Sequence, residues 1–133
     1  MKDIVAAFAT VDPFEGMTGK NPGRAANLAG GNWVSVEQLR DDIVDPMNGE
    51  PFLEVPDTQD LAPFIDGLGS CPKTGLHNPM KNTERYVMLG QVCARAAALL
   101  AEQEVNDYFT RLIQRVMPKS WNQCAGEVQI TRV

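Results

Sequence analysis

The sequence predicts a mixed fold, with a short β-hairpin in its first part and helices in its last part. Nine of the 11 glycines and eight of the nine prolines lie in residues 1–80, where they interrupt every candidate element. From residue 81 onward, apolar residues recur every three or four positions, which is typical of amphipathic helices. We therefore divide the 133 residues into an extended N-terminal arm with a hairpin, residues 1–57, and a mostly α-helical part, residues 58–133.

The hairpin is predicted at about residues 32–55. Residues 33–36 form a short β-type run, a turn-like stretch follows, and residues 52–55 alternate apolar and polar side chains as a half-buried strand does. Residues 45–49 are a strong turn, because their Asn-Gly pair favours positive φ.

The flanks of this hairpin are less regular. Pro51 and Pro56 bracket the second strand and favour an edge position, where a missing N–H is tolerated. Residues 1–30 have too little periodicity to predict an element.

The helical part is predicted to contain four helices. The first is short and runs from about residue 58 or 60 to Gly67. The second runs from about Thr83 to Glu102, with Asn82 as its N-cap. After a break near Gln103 a third follows, and Pro118 ends it and opens the fourth from position N1. The predicted apolar faces comprise Leu61, Phe64, Ile65 and Leu68; Tyr86, Leu89, Val92, Cys93, Ala96, Leu99 and Leu100; Val105, Phe109, Leu112, Ile113 and Val116; and Trp121, Cys124, Ala125 and Val128.

Composition and charge exclude several function classes. The formal charge of −5 and a pI near 4.8 argue against a nucleic-acid partner, because such proteins carry basic surfaces. No run approaches about 18 apolar residues, so we expect no membrane insertion. Three widely spaced cysteines without a signal peptide favour a reducing compartment. No transit peptide is visible, since the first residues lack arginine and serine and carry Asp3.

Two glycine motifs fail the tests for phosphate binding. Gly19-Lys20 lacks both the earlier glycine and the following Ser or Thr of a P-loop. Gly67-x-Gly69 has Pro72 where a dinucleotide fingerprint needs its third glycine, and it follows a predicted helix rather than a strand. Neither motif predicts a cofactor site.

The nucleophilic and metal-ligating side chains also have plain structural interpretations. His77, the sole histidine, lies in a proline-rich loop and would need Cys71 beside it for nucleophilic catalysis. A zinc site would need Cys71, Cys93, Cys124 and His77 together, at spacings unlike those of a zinc finger. We favour buried or half-buried thiols and a locally bonded histidine.

For two charged clusters, too, we favour a structural interpretation. Asp41, Asp42 and Asp45 could hold a cation, but an acidic, solvated loop beside the hairpin is favoured. Arg111 and Arg115 lie four residues apart on the polar face of a helix, which is typical of surface charge pairing with acids one turn earlier. The residues by themselves therefore predict no catalytic, cofactor-binding or metal site.

Longer strings nevertheless resemble a known enzyme family. Residues 31–35 and 45–55 resemble the "G-x-W … P-x-x-G-E" hairpin of aldehyde dehydrogenases. Residues 71–79, C-P-K-T-G-L-H-N-P, and 111–120, R-L-I-Q-R-V-M-P-K-S, are similar to the plant- and protist-type Δ1-pyrroline-5-carboxylate dehydrogenases, also called L-glutamate γ-semialdehyde dehydrogenases. The resemblance covers roughly residues 8–133.

This resemblance implies the α/β fold of aldehyde dehydrogenases and the N-terminal portion of a mitochondrial matrix enzyme of proline catabolism. That enzyme uses NAD to oxidise the semialdehyde to glutamate: a cysteine thiolate attacks the aldehyde, hydride passes to NAD, and a glutamate activates water. All of those groups come after the matched portion in the family, so no functional residue carries over to residues 1–133. The implied role of this portion is packing and oligomer contact, with the rest of the dehydrogenase, a homo-oligomer, as its partner.

Three interpretations stay open from the sequence. The first is a fragment of such a dehydrogenase, because the last predicted helix runs to Val133 without a cap and we expect it to be cut in mid-helix. The second is a truncated, non-catalytic relative that serves as a structural subunit of a larger assembly. The third is an independent binding or redox module that uses the cysteines. For the isolated chain we expect no dehydrogenase activity and marginal stability.

Overall fold

The computed structural model describes residues 3–70, 80–81 and 83–132, so the predicted loop at 71–79 and the predicted N-cap Asn82 lie outside the described residues. In the described part, short strands in the first part precede helices in the second, as the sequence predicts. The elements are α1 (Asp3–Ala6), β1 (Gly23–Arg24), β2 (Asn27–Ala29), β3 (Asn32–Val34), β4 (Leu39–Val44), β5 (Pro51–Pro56), α2 (Ala62–Gly69), α3 (Thr83–Ala101), α4 (Gln103–Val116) and α5 (Trp121–Arg132).

The predicted turn at residues 45–49 is confirmed, but one of its two strands is not the predicted one. Gly49 has φ 73°, and its N–H donates to the Asp45 carbonyl at 2.7 Å. The strand that pairs antiparallel with β5 is β4, which lies in the stretch predicted to be turn-like. Register shifts between Arg40 and Val44 break the apolar alternation, so the period of two that marks a strand is lost there.

The run at residues 33–36 belongs instead to a second hairpin. Strand β3 pairs antiparallel with β2, and Gly30 and Gly31 join them with φ values of 56° and 80°. Two consecutive residues with positive φ match the twist of a two-residue hairpin turn. The Gly-Gly pair was therefore the local signal for this hairpin, in a region where periodicity predicted nothing.

The predicted edge position of β5 is wrong. The three-stranded sheet has the order β1-β5-β4, so β5 is central, parallel to β1 and antiparallel to β4. Pro51 and Pro56 are the first and last residues of β5, opposite Val44 and Leu39. Proline is tolerated at strand ends, so the two prolines mark where β5 begins and ends rather than its place in the sheet.

The N-terminal arm packs along α4. The Phe8 ring stacks on Phe109 with centroids 5.8 Å apart and meets the Tyr108 ring edge-on at 5.9 Å. Val5 and Met17 are also buried. These apolar side chains lie too irregularly in sequence to show a period, so the packing of the arm had no signal in periodicity.

The helices were predicted within a few residues, but their burial is uneven. Helices α4 and α5 pack together and bury Val105, Cys124 and Val128. Helix α3 lies against both, yet none of its described residues is buried. The predicted apolar face of α2 is likewise exposed, with Leu61, Ile65 and Leu68 all more than half exposed.

Helix α5 begins at a capping box and not, as predicted, at Pro118. The Ser120 hydroxyl accepts the Gln123 N–H at 3.4 Å, and Gln123 Oε1 accepts the Ser120 N–H at 3.0 Å. These reciprocal bonds satisfy donors at the helix start. Pro118 lies before the cap, in the connection after α4.

We expect Ser120→Ala to lower the free energy of unfolding by about 1 kcal/mol, because an N-terminal N–H of α5 loses its acceptor. Urea unfolding followed by circular dichroism measures the change. Ser70→Ala is the control, since the Ser70 hydroxyl donates to the Gly67 carbonyl at the exposed end of α2. An equal loss in both variants would contradict the capping role of Ser120.

Candidate functional site

Arg115 is the centre of a polar cluster that joins distant segments of the described chain. Its Nη2 lies 3.0 Å from Asp45 Oδ2, and the two side chains are 19% and 9% exposed. The same nitrogen donates to the Met17 carbonyl, and the guanidinium carbon lies 5.0 Å from the centroid of the Phe52 ring. Arg115 thus joins α4 to the arm, the hairpin turn and β5.

This arrangement corrects the predicted surface charge pairing of Arg115. Its partner is a buried carboxylate 70 residues earlier in the chain rather than an acid one turn away. A buried ion pair resists removal of either partner, because the remaining charge would be desolvated and unpaired. Arg115 Nε is also buried and has no hydrogen-bond partner.

The predicted acidic, solvated loop is also corrected. Asp41 and Asp42 lie in strand β4, and Asp41 is exposed. Asp45 is only 6% exposed, accepts the Met47 N–H at 2.9 Å through Oδ1, and binds Arg115. Asp41 and Asp45 therefore have different surroundings, and no cluster that could hold a metal ion is found among the described residues.

A cationic cavity lies beside this cluster. Its volume is about 440 Å³, and its lining includes Asp45, Met47, Arg111, Arg115, Pro118 and Lys119. Arg111 Nη1 donates to the neutral Gln114 Oε1 at 2.7 Å, whereas Lys119 pairs with Glu127. The lining thus carries three cationic side chains and one carboxylate.

A second cavity, the Tyr108 cavity, has a volume of about 420 Å³ and lies between the arm and the start of α4. Its acidic lining residues are Asp12, Glu15, Glu104 and Asp107. Tyr108 is 5% exposed, and its hydroxyl donates to the Val11 carbonyl at 3.2 Å. Burial, and secondarily the charge of Asp12, raises the pKa of the Tyr108 phenol above 10.0.

The raised pKa of Tyr108 predicts a loss of stability at alkaline pH. The unfolded chain releases this proton at about pH 10, while the folded chain retains it, so the free energy of unfolding falls as pH rises beyond 10. We expect Tyr108→Phe to make this alkaline decline shallower. Denaturant unfolding at several pH values above 9 tests this, and identical slopes in both proteins would contradict it.

The candidate nucleophiles are not brought together within the described part of the chain. Cys93 is exposed on α3, and Cys124 is buried on α5. Cys71 and His77 lie outside the described residues, so neither the Cys71–His77 pair nor the four-ligand zinc site is tested. The buried-thiol interpretation is confirmed for Cys124 and wrong for Cys93.

The described residues do not contain the glycine-rich turn of the common dinucleotide-binding fingerprint. That turn joins a strand to a helix N-terminus. Strand β5 leads to α2 through residues 57–61, which contain no glycine, and both Gly67 and Gly69 lie within α2.

No helix in the described ranges is long and apolar enough to cross a membrane.

Comparison with known proteins finds two similar dehydrogenases. The sequence matches no profile of a known protein family. It is 46% identical over 127 residues to a probable aldehyde dehydrogenase of Linum usitatissimum, covering 94% of this chain and 23% of that protein. It is equally identical, over 94% of this chain and 22% of the relative, to Delta-1-pyrroline-5-carboxylate dehydrogenase 12A1, mitochondrial, of Arabidopsis thaliana.

The chain is similar to part of an aldehyde dehydrogenase of the Δ1-pyrroline-5-carboxylate type. This finding confirms the resemblance predicted from the motifs. The chain spans less than a quarter of the length of these two dehydrogenases. Arg115 and Asp45 lie within the motifs that carried the resemblance, but local spacing gave no signal for the contact between them.

Proposed function

We propose that the chain is the structural N-terminal portion of an NAD-dependent L-glutamate γ-semialdehyde dehydrogenase. The observation that carries the proposal is 46% identity along 94% of the chain to less than a quarter of two dehydrogenases. In this proposal the parent enzyme has the aldehyde dehydrogenase fold and oxidises the semialdehyde to glutamate. The catalytic cysteine, the general base and the NAD site belong to the rest of the enzyme.

The exposed apolar surface of α3 supports a structural role. Tyr86, Val87, Met88, Leu89 and Val92 lie on α3 and are each between 42% and 58% exposed. Several large apolar side chains exposed on one helix are typical of an interaction surface, because exposing them to water is unfavourable. In the proposal, the remaining polypeptide of the dehydrogenase covers α3 and the exposed face of α2.

The Arg115 cluster fixes the positions of the arm and of β5 relative to α4, so that the rest of the dehydrogenase can pack on a rigid surface. A single guanidinium makes the contacts to the arm, to the turn before β5 and to the Phe52 ring in β5. A buried, hydrogen-bonded charge pair tolerates few alternative arrangements. We infer that the role of this cluster is to position the arm and the β4–β5 hairpin relative to α4, and not to act on substrate.

Location and assembly follow from the same proposal. One relative is named mitochondrial, and we propose that the parent enzyme works in the mitochondrial matrix. We also propose that it is a homo-oligomer, with apolar faces of this portion among its contacts. Neither nucleic acid nor a membrane is a partner in this account.

The test is an activity measurement on native material. An antibody raised against the 133-residue chain is used to precipitate the native protein, and NADH formation is followed with NAD and the semialdehyde. We expect the precipitate to form NADH and the isolated chain to form none. A precipitate that contains the chain but forms no more NADH than a mock precipitate would contradict the catalytic parent and favour a non-catalytic structural subunit.

A further inference from the structure

The side chains that line the cationic cavity carry more positive charge than negative charge. Arg111 and Arg115 lie four residues apart on one side of α4, and Lys119 lies three residues beyond Val116, the last residue of that helix. Like charges at this spacing repel one another. Asp45 is the carboxylate in the lining, and it is engaged by Arg115.

Arg111 is the cation in this lining that lacks an ionic partner in the described structure. Its hydrogen bond goes to the side-chain amide of Gln114, a neutral acceptor. A guanidinium makes stronger, paired hydrogen bonds to a carboxylate than to an amide, because two parallel N–H groups match two charged oxygens. An incoming carboxylate can therefore displace Gln114 with a gain in hydrogen-bond strength.

The other walls suit the same ligand. Lys119 adds a second cation that is 34% exposed, and Arg115 has a buried Nε–H without an acceptor. Met47 and Pro118 contribute apolar atoms for a short aliphatic stem. A volume of about 440 Å³ accommodates a small organic acid or an acidic side chain.

We propose that the cationic cavity is a carboxylate-binding site, in which the Arg111 guanidinium donates hydrogen bonds to the carboxylate and Lys119 supplies a second positive charge. The carboxylate can come from a free organic acid or from a Glu or Asp side chain of a polypeptide. This binding site does not depend on the dehydrogenase activity of any longer protein.

The test uses the full 133-residue chain, with its arginine Nε–H groups observed by nitrogen-edited NMR. Glutarate is titrated at constant ionic strength, with chloride as the reference anion. We expect a saturable shift of the Arg111 signal with glutarate and none with chloride. Arg111→Gln should weaken glutarate binding at least about tenfold, since it removes the charge-assisted pair of hydrogen bonds.

Matched variants keep the result interpretable. Arg95→Gln makes the same change on an exposed part of α3 and should leave the affinity unchanged. Lys119→Gln should weaken binding by a smaller factor, and circular dichroism confirms that each variant is folded.

A single-Glu peptide that binds more tightly than glutarate assigns the site to a polypeptide, and the reverse order assigns it to a free acid. No saturable shift below about 50 mM of either probe, or equal affinity in Arg111→Gln, would overturn the proposal.

Discussion

Replacing Arg115 with Met should lower the free energy of unfolding by about 3–5 kcal/mol, because the change leaves the Asp45 carboxylate buried without its counter-charge. The substitution also removes the bond to the Met17 carbonyl and the contact with the Phe52 ring. A domain of this size has about 5–15 kcal/mol of stability in total, so the loss is a large fraction. Urea unfolding monitored by circular dichroism measures it.

Two further variants separate the ion pair from simple loss of packing. Asp45→Asn keeps an oxygen to accept the Met47 N–H but removes the charge. Combined with Arg115→Met, it should cost about 1–3 kcal/mol less than the sum of the single changes, because no unpaired charge remains. Arg95→Met, on the exposed side of α3, should be nearly neutral. Strict additivity of the Asp45 and Arg115 changes would refute the coupling.

Phe52→Ala should destabilise the chain by a similar amount, about 3–5 kcal/mol. Phe52 is 1% exposed in the central strand β5, and its ring lies under the Arg115 guanidinium. Truncation leaves a cavity and removes the aromatic surface on which the guanidinium rests. The change is measured by the same unfolding experiment.

Phe14→Ala is the matched control, since Phe14 is 54% exposed in the arm. We expect its effect to be below about 1 kcal/mol because little apolar surface returns to water. Phe52→Leu should fall between the two alanine variants. A loss for Phe52→Ala no greater than that for Phe14→Ala would show that β5 is not part of the core.

Local signals in the sequence predicted the elements whose formation depends on neighbouring residues. The Asn-Gly pair fixed the turn before β5, and three- and four-residue apolar spacing predicted α3, α4 and α5. The long strings around Arg111 and His77 predicted the resemblance to Δ1-pyrroline-5-carboxylate dehydrogenases, and the similarity to two such relatives confirmed it.

Contacts between distant segments could not be predicted in this way. Arg115 and Asp45 are 70 residues apart, and the residues next to each of them in the sequence predict an ordinary exposed surface charge. Phe8 meets α4 across about 100 residues, and β5 is central because β1, a two-residue strand without a sequence pattern, lies parallel to it. Such pairings depend on the tertiary fold, which neither propensity nor spacing encodes locally.

The mass of the native polypeptide that contains this sequence tests the central claim most directly. Immunoblotting and mass spectrometry of native material should find these residues in a polypeptide roughly four times the 14.6 kDa of the chain, since the matched residues make up 23% of one relative. A native polypeptide of 14.6 kDa that migrates as a free monomer would contradict the account.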